Sequence, residues 1–443
     1  MTAIRRGGLC YSPVLGAVAL ACSELVACGA CFSPVGEVSW SDGGSPDAAP
    51  ADAGGDSGVP DAGGLDAGGD GGLTPDAGLG LDAGPCSCCV PGAAGFEPGC
   101  VPGPAPDLSH QASYGSGSSY WGVATGDLNG DGLLDLVTVK FPSTGPEVFF
   151  GQPDGTLASP VEYQSGADGN AITVADLNGD HFPDVLITGS PGVLVFMNRG
   201  DGSLSAPVAY TTNGFNQSIG VADVNGDGYP DMVLNTQLFL GNGDGTFGSP
   251  IPIPTQEDQS GGLVAADFNG DGLADIAVSG PHLSLTVLLT QPDGGFEETS
   301  YPGVGAGGVT LLHANCNAPP DLAIASQGTA ISVFRNRGDG HFDLSGTYPL
   351  PHLVGLSLIE GDFNGDCVAD LMVSGWAKCG DGLVVALYGN GRGGFDPAVT
   401  LSTSSTGPKA LARLGPVTAP RGLGIADECG NGILTLGVPP KQP

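Results

Sequence analysis

Five stretches of this 443-residue chain share one acidic pattern: DLNGDGLLD from Asp127, DLNGDHFPD from Asp176, DVNGDGYPD from Asp223, DFNGDGLAD from Asp267 and DFNGDCVAD from Asp362. Side-chain oxygens fall at positions 1, 3 and 5, where a tight loop can aim them at one point. A backbone carbonyl at position 7 and a carboxylate at position 9 complete an oxygen cage. Hard oxygen donors with three carboxylates suit Ca2+, whose larger radius tolerates a flexible loop better than magnesium does. The expected ligands are Asp127, Asn129, Asp131, Leu133 and Asp135 in the first loop, and Asp176, Asn178, Asp180, Phe182 and Asp184 in the second. Asp223, Asn225, Asp227, Tyr229 and Asp231 form the third set, and Asp267, Asn269, Asp271, Leu273 and Asp275 the fourth. Asp362, Asn364, Asp366, Val368 and Asp370 form the last, so five calcium sites are expected. Asx turns alone would explain one such loop but not five in register.

Position 6 wants a left-handed backbone, and His181 and Cys367 replace glycine there. A Cβ is strained in that conformation, so weaker or altered sites are expected in those two loops. A worn copy, HANCNAPPD from His313, keeps only Asp321 as a carboxylate, and the register RLGPVTAPR from Arg413 keeps none. Both are expected to hold no ion.

The loops recur at intervals of 49, 47, 44, 46, 49 and 51 residues, a period that suits one four-stranded propeller blade. Each unit runs from a short apolar stretch through the acidic loop into a β-rich stretch such as DLVTVK. An apolar strand such as VLVFM, a turn containing Asp-Gly and a last strand such as APVAY follow. Asp-Gly between apolar runs signals a hairpin, because glycine accepts positive φ. The seventh unit ends after GILTLGVPP and lacks its fourth strand, while one strand too many precedes the first loop. Tyr114 lies 13 residues before Asp127, as Tyr163 does before Asp176 and Tyr210 before Asp223. The segment 108–114 is therefore expected to close blade seven from outside and cover its edge. The fold expected is all-β: a seven-bladed β-propeller of four-stranded blades over residues 105–443, closed by an N-terminal strand.

These loops and strands resemble the FG-GAP/VCBS repeats of integrin alpha-subunit propellers and their bacterial relatives, over roughly residues 105–443. The resemblance implies calcium on the loops joining first and second strands, opposite the usual partner-binding face. Asp127, Asn129, Asp131 and Asp135 match the family's ligands, as do their equivalents in the other intact loops. Relatives include adhesion subunits, lectin-like propellers and accessory domains of polysaccharide lyases, so the resemblance does not name a ligand.

The segments ahead of the repeat point to export. Arg5 and Arg6 precede a mostly apolar run, Leu9 to Ala21, too short to span a bilayer with ease. Residues 1–28 therefore read as a signal segment. The site ending at Cys28 resembles the lipobox of bacterial lipoproteins, with Cys22 as the alternative acylated residue. Residues 29–85 form an Asp/Ala/Gly/Pro-rich spacer: between 41 and 85 Asp-Ala-Gly occurs five times, with nine aspartates, no lysine or arginine and no aromatic residue. Such a stretch cannot bury enough apolar surface to offset its ordering entropy. Cys86, Cys88, Cys89 and Cys100 lie in the segment 86–104, where disulfides suit an exported chain better than a zinc site does. Further along, the positions of Cys316, Cys367, Cys379 and Cys429 suggest disulfides Cys316–Cys367 and Cys379–Cys429 between neighbouring blades.

Glycine and proline supply 79 and 37 residues without a Gly-X-Y period, which excludes collagen. The 12 Lys+Arg against 47 Asp+Glu give a formal charge of −35, which repels nucleic acid and anionic lipid. Contact with a membrane is expected only through a lipid anchor. Five loops and the spacer account for 24 of the acids, so the charge demands no cationic partner. Scattered histidines, no Gly-x-Ser-x-Gly elbow and Gly-x-Gly-x-x-Gly only at turns (243–248, 303–308, 389–394) argue against an enzyme. Trp121, Phe215 and Trp376 lie in connections expected on the partner face, as candidates to stack on a sugar or anchor a protein; wedging between blades is the other reading. The function expected is an exported, calcium-stabilised module at the outer membrane or cell surface, or secreted, that binds an extracellular protein or glycan. A carbohydrate-active enzyme, or an accessory domain of one, is the alternative.

Overall fold

Runs of Val, Ile and Leu broken by glycine-bearing turns leave little choice but strands, and a sheet covered on both faces tolerates strands that are apolar throughout. The computed structural model describes residues 111–437 except 116–117, 142–144, 165–167, 191, 213–217, 235, 256–260, 281–283, 305–306, 314–318, 327–329, 351–354, 365, 367, 376–381, 402–404, 406, 416–421 and 430–431. The signal, lipobox, spacer and Cys-rich segments, with Cys22, Cys28, Cys86, Cys88, Cys89 and Cys100, lie outside the described residues.

The described residues form seven four-stranded antiparallel sheets and contain no helix. Six sheets use four consecutive strands, as in blade one: Ser119–Gly126, Asp135–Phe141, Pro146–Phe149 and Val161–Glu162. The first strands of successive blades face one another around the ring, including those of blades seven and one. This is the expected seven-bladed propeller. Middle strands such as Pro146–Phe149 and Asp275–Gly280 are buried throughout, whereas the outer strand Phe296–Pro302 alternates. Seven apolar clusters fill the gaps, one between each pair of neighbours; Val264, Phe268 and Leu285 of blade four, for example, meet Leu322 and Phe334 of blade five. Each fully buried Phe or Leu in these gaps contributes roughly 1.5–3 kcal/mol.

Blade seven is the composite that the strand count demands. Its order is Gln111–Tyr114, Gly432–Leu436, Gly422–Asp427, Pro408–Leu414, with Gln111 opposite Leu436 and Tyr114 opposite Ile433.

The recurring tyrosine has a task beyond marking register. The Tyr114 hydroxyl accepts the Leu157 N–H of blade one at 3.1 Å, and its ring meets Phe149 edge-on at 6.2 Å. In the same way Tyr210 accepts from Phe247 of blade three at 3.1 Å, Tyr301 from Phe342 of blade five at 2.9 Å and Tyr348 from Phe395 of blade six at 3.3 Å. The last three pairs also cross edge-to-face. An outer strand is thus latched to the glycine-bearing hairpin of the next blade.

Candidate metal-binding loops

Each acidic loop hangs between two anchors. Position 2 is apolar and buried (Leu128, Leu177, Val224, Phe268, Phe363), which pins the loop's start into an inter-blade gap. Position 9 opens the second strand. Between them the chain turns outward, aided by glycines with φ of 72–78° at position 4 in the first four loops.

In blade one, Asp127 Oδ1 accepts the Asp131 N–H at 3.0 Å and its Oδ2 accepts the Gly132 N–H at 2.8 Å. Asn129 Oδ1 also accepts from Asp131 N–H, and Asp131 Oδ1 accepts the Leu133 N–H at 2.9 Å. The same web recurs in the other intact loops, down to Asp366 N–H on Asp362 Oδ1 at 3.1 Å and Val368 N–H on Asp366 Oδ1 at 2.9 Å in blade six. Positions 1, 3 and 5 are therefore brought together on one small loop, as the spacing implies.

Position 9 is turned differently. Asp135 Oδ2 accepts the Leu128 N–H at 2.9 Å and its Oδ1 accepts the Gly151 N–H at 2.8 Å, across to the far end of the third strand. Asp184, Asp231, Asp275 and Asp370 repeat both bonds, with partners Asn198, Gly241, Thr290 and Gly389 at the third strand. All five are 0% exposed. Burial pushes Asp135, Asp184, Asp275 and Asp370 up to about 7 and Asp231 up to about 6, against the pull of those two N–H bonds. Neighbouring loop aspartates raise them further. In the worn fifth blade Asp321 survives, still buried, and still accepts the Asn336 N–H at 2.7 Å. A residue kept where the other carboxylates are gone serves the blade itself. Sequence spacing places its counterparts in the intact loops among ligands; their hold on the end of the third strand is not visible there.

Among the described residues, no three His, Cys, Asp or Glu side chains gather into a ready cage. Each loop has two outward carboxylates, at positions 1 and 5, plus the Asn at position 3 and the carbonyl at position 7. The chemistry of this donor set fits a hard cation. A carboxylate oxygen that accepts one N–H keeps further acceptor capacity, so position 9 retains it too.

The position 7 side chains do separate work. Phe182 and Tyr229 lie across Gly200 and Gly243 of their own blades' hairpins, where a Cβ would come within 3.0 and 2.4 Å of the rings. His181 stands at φ 69°, the one non-glycine residue with positive φ among those described, so the strain expected at position 6 is present. Cys367 lies outside the described residues. In blade five the position 1 residue, His313, instead binds Glu360 of blade six, Nδ1 to Oε2 at 2.8 Å.

Trp121 lies on the first strand of blade one with the Lys409 ammonium 3.8 Å above its ring, so one face is already covered. Lys409 in turn pairs with Glu428 at 3.0 Å. Phe215, Trp376, Cys316, Cys367 and Cys379 lie outside the described residues. Cys429 follows the second strand of blade seven, its N–H on Asp427 Oδ1 at 2.7 Å.

A model of the FG-GAP-like repeat matches residues 127–187, 176–234, 235–278 and 320–373. The chain is a propeller that carries FG-GAP-like repeats in four places. Two matches begin at acidic loops, at 127 and 176, all four end in the second strand of the next blade, and blade seven lies outside them. Among solved structures this FG-GAP propeller is similar to BBS1N, crystallised in complex with ARL6DN, at 15% identity and a TM-score of 0.51, covering 75% of this chain and 97% of that one. An Agrocybe aegerita lectin, solved for its recognition of non-reducing terminal N-acetylglucosamine, aligns at 22% identity and a TM-score of 0.46, covering 65% and 81%. Chaetomium thermophilum Raptor aligns at 12% identity and a TM-score of 0.46, covering 75% and 29%. No curated protein matches the chain.

Proposed function

We propose that this FG-GAP propeller is an exported, calcium-stabilised binding module displayed at the cell surface, recognising an extracellular protein or glycan. The observation that carries the reading is the repetition of one hydrogen-bonded oxygen loop in five blades of one closed ring. Asp, Asn, Asp and the position 7 carbonyl of each loop would hold the ion, with the position 9 carboxylate behind them. A bound calcium supplies positive charge among acids that otherwise repel, and the loop's own N–H groups hold those acids in place. FG-GAP propellers are typically binding or structural modules. The most elaborate buried charge group of blade one suits that role: Tyr120 donates to Glu147 at 2.9 Å and Lys140 pairs with Glu147, yet Tyr120 is 0% and Glu147 3% exposed. It ties strands together through a buried tyrosine and a buried glutamate.

The signal segment supports export, and the lipobox supports acylation at Cys28 or Cys22. The similar places of Cys379 and Cys429 in neighbouring sequence repeats support a disulfide between them. The deciding experiment is calcium titration by calorimetry, followed by a glycan array and a pull-down of extracellular proteins in calcium and in chelator. Heat of calcium binding with calcium-dependent capture supports the reading. No heat would refute the ion, and turnover of a captured glycan would move the protein among the enzymes.

A further inference from the structure

Every intact loop carries Asn-Gly at positions 3 and 4, and this pair has a chemistry that ion binding does not use. An asparagine amide can be attacked by the backbone nitrogen of the residue that follows, and a following glycine leaves that nitrogen without steric cover. Among the described residues, three loops set a carboxylate oxygen against both nitrogens of such a step. In blades two, three and four the glycine N–H donates to Oδ1 of the position 1 aspartate: Gly179 to Asp176 at 2.8 Å, Gly226 to Asp223 at 2.7 Å and Gly270 to Asp267 at 2.7 Å. The amide nitrogen that would leave donates to Oδ2 of position 5, from Asn178 at 2.9 Å, Asn225 at 2.7 Å and Asn269 at 2.9 Å. The glycines of these pairs are exposed. Blade one differs in the glycine: the position 1 Oδ1 takes the Asp131 N–H at 3.0 Å, as the other three do at 3.2–3.3 Å, but no bond from Gly130, and the Asn129 amide bond lengthens to 3.2 Å.

We propose that Asn178, Asn225 and Asn269 are sites of spontaneous amide loss, guarded by the cation when it is bound. The glycine nitrogen forms a bond to Asn Cγ while its proton passes to the position 1 carboxylate. The Cγ–Nδ2 bond then breaks, the proton goes to the departing nitrogen, and ammonia leaves a five-membered imide. Water opens the imide. Cleavage of the new Cγ–N bond yields aspartate; cleavage on the other side yields isoaspartate. The two products have opposite consequences. Aspartate adds a carboxylate at position 3 of the oxygen set, whereas isoaspartate lengthens the backbone by one carbon and spoils the alternate spacing. A cation sharing the position 1 and 5 oxygens would lower their capacity to take up a proton. That protective half rests on the proposed calcium binding; the reactivity in chelator does not.

The test incubates the full chain in mildly alkaline buffer, with calcium or with chelator, and follows each Asn-Gly peptide by mass spectrometry. Calorimetry on the same samples reports whether calcium binds. The expected result is conversion in chelator at Asn178, Asn225 and Asn269 about a hundredfold faster than at Asn129, and suppression by calcium. The substitution Asp176→Asn should slow Asn178 by about the same factor and leave Asn225 and Asn269 unchanged in the same molecule. Conversion absent from all three in chelator, or equal to that of Asn129, overturns the proposal, as does an Asp176→Asn chain that converts Asn178 at the original rate. Equal rates with and without calcium, where calorimetry shows binding, overturn the guarding. Absence of calcium heat refutes the metal reading, and the chelator arm then still decides the amide chemistry.

Discussion

An aspartate that is fully buried, doubly hydrogen-bonded by backbone and flanked by other aspartates is sensitive to both protons and cations. In the folded chain, position 9 carboxyls sit at about 7 (about 6 for Asp231), against 3.8 as the ordinary value. A raised acid binds its proton more tightly when folded, so its stability contribution is complete below the unfolded pKa and is lost as pH rises through the folded one. The chelated protein should therefore lose melting temperature between about pH 4 and pH 7, while calcium, which favours the ionised form, should flatten or reverse that slope. Thermal melts across this range in the two conditions check it. A structural role for position 9 makes a second prediction. Asp321→Ala, in a blade with no intact oxygen set, should cost about 1–3 kcal/mol by leaving the buried Asn336 N–H without its acceptor. Urea unfolding in chelator measures it, and no change would return position 9 to a purely ligating role.

At the scale of elements, the blade-to-blade latch predicts how neighbours communicate. Tyr301→Phe keeps the ring against Phe342 and removes only the hydroxyl, so it should cost about 1 kcal/mol. Tyr114→Ala removes ring and hydroxyl together at the composite blade and should cost about 2 kcal/mol. Equal losses in urea melts would argue against the edge-on ring contact as a stabilising term. Much of this level was legible in the residues beforehand. Acidic loops every 44 to 51 residues set the blades, and the excess strand with its tyrosine in register set the closure. What stayed hidden were contacts between blades, because local spacing says nothing of which neighbour a side chain meets. The Tyr301 hydroxyl on the Phe342 N–H and the Lys409 ammonium over Trp121 depend on how sheets are set in the ring, and the Asp135 carboxylate on Gly151 depends on how strands pair within blade one. Trp121 was a reasonable surface candidate on composition alone; only the assembled ring shows one of its faces covered.

For the whole molecule, calcium should act as mass action over several sites. Each occupied loop adds about 2.7 kcal/mol at a hundredfold excess over its dissociation constant, so calorimetric melts in calcium and in chelator should differ widely. Coincident melts would remove the ion from the stability account. Closure has a mechanical side as well. The outermost strand of blade seven, Gln111–Tyr114, continues directly from the chain's N-terminal segment and is held by four residue pairs to Gly432–Leu436. Tension drawn through that segment reaches this seam before any other blade. Pulled hard enough, the seam parts, Tyr114 leaves Leu157, and a row of unpaired backbone groups is bared beside Ile433, so that a load applied from that side opens the ring at its own closure.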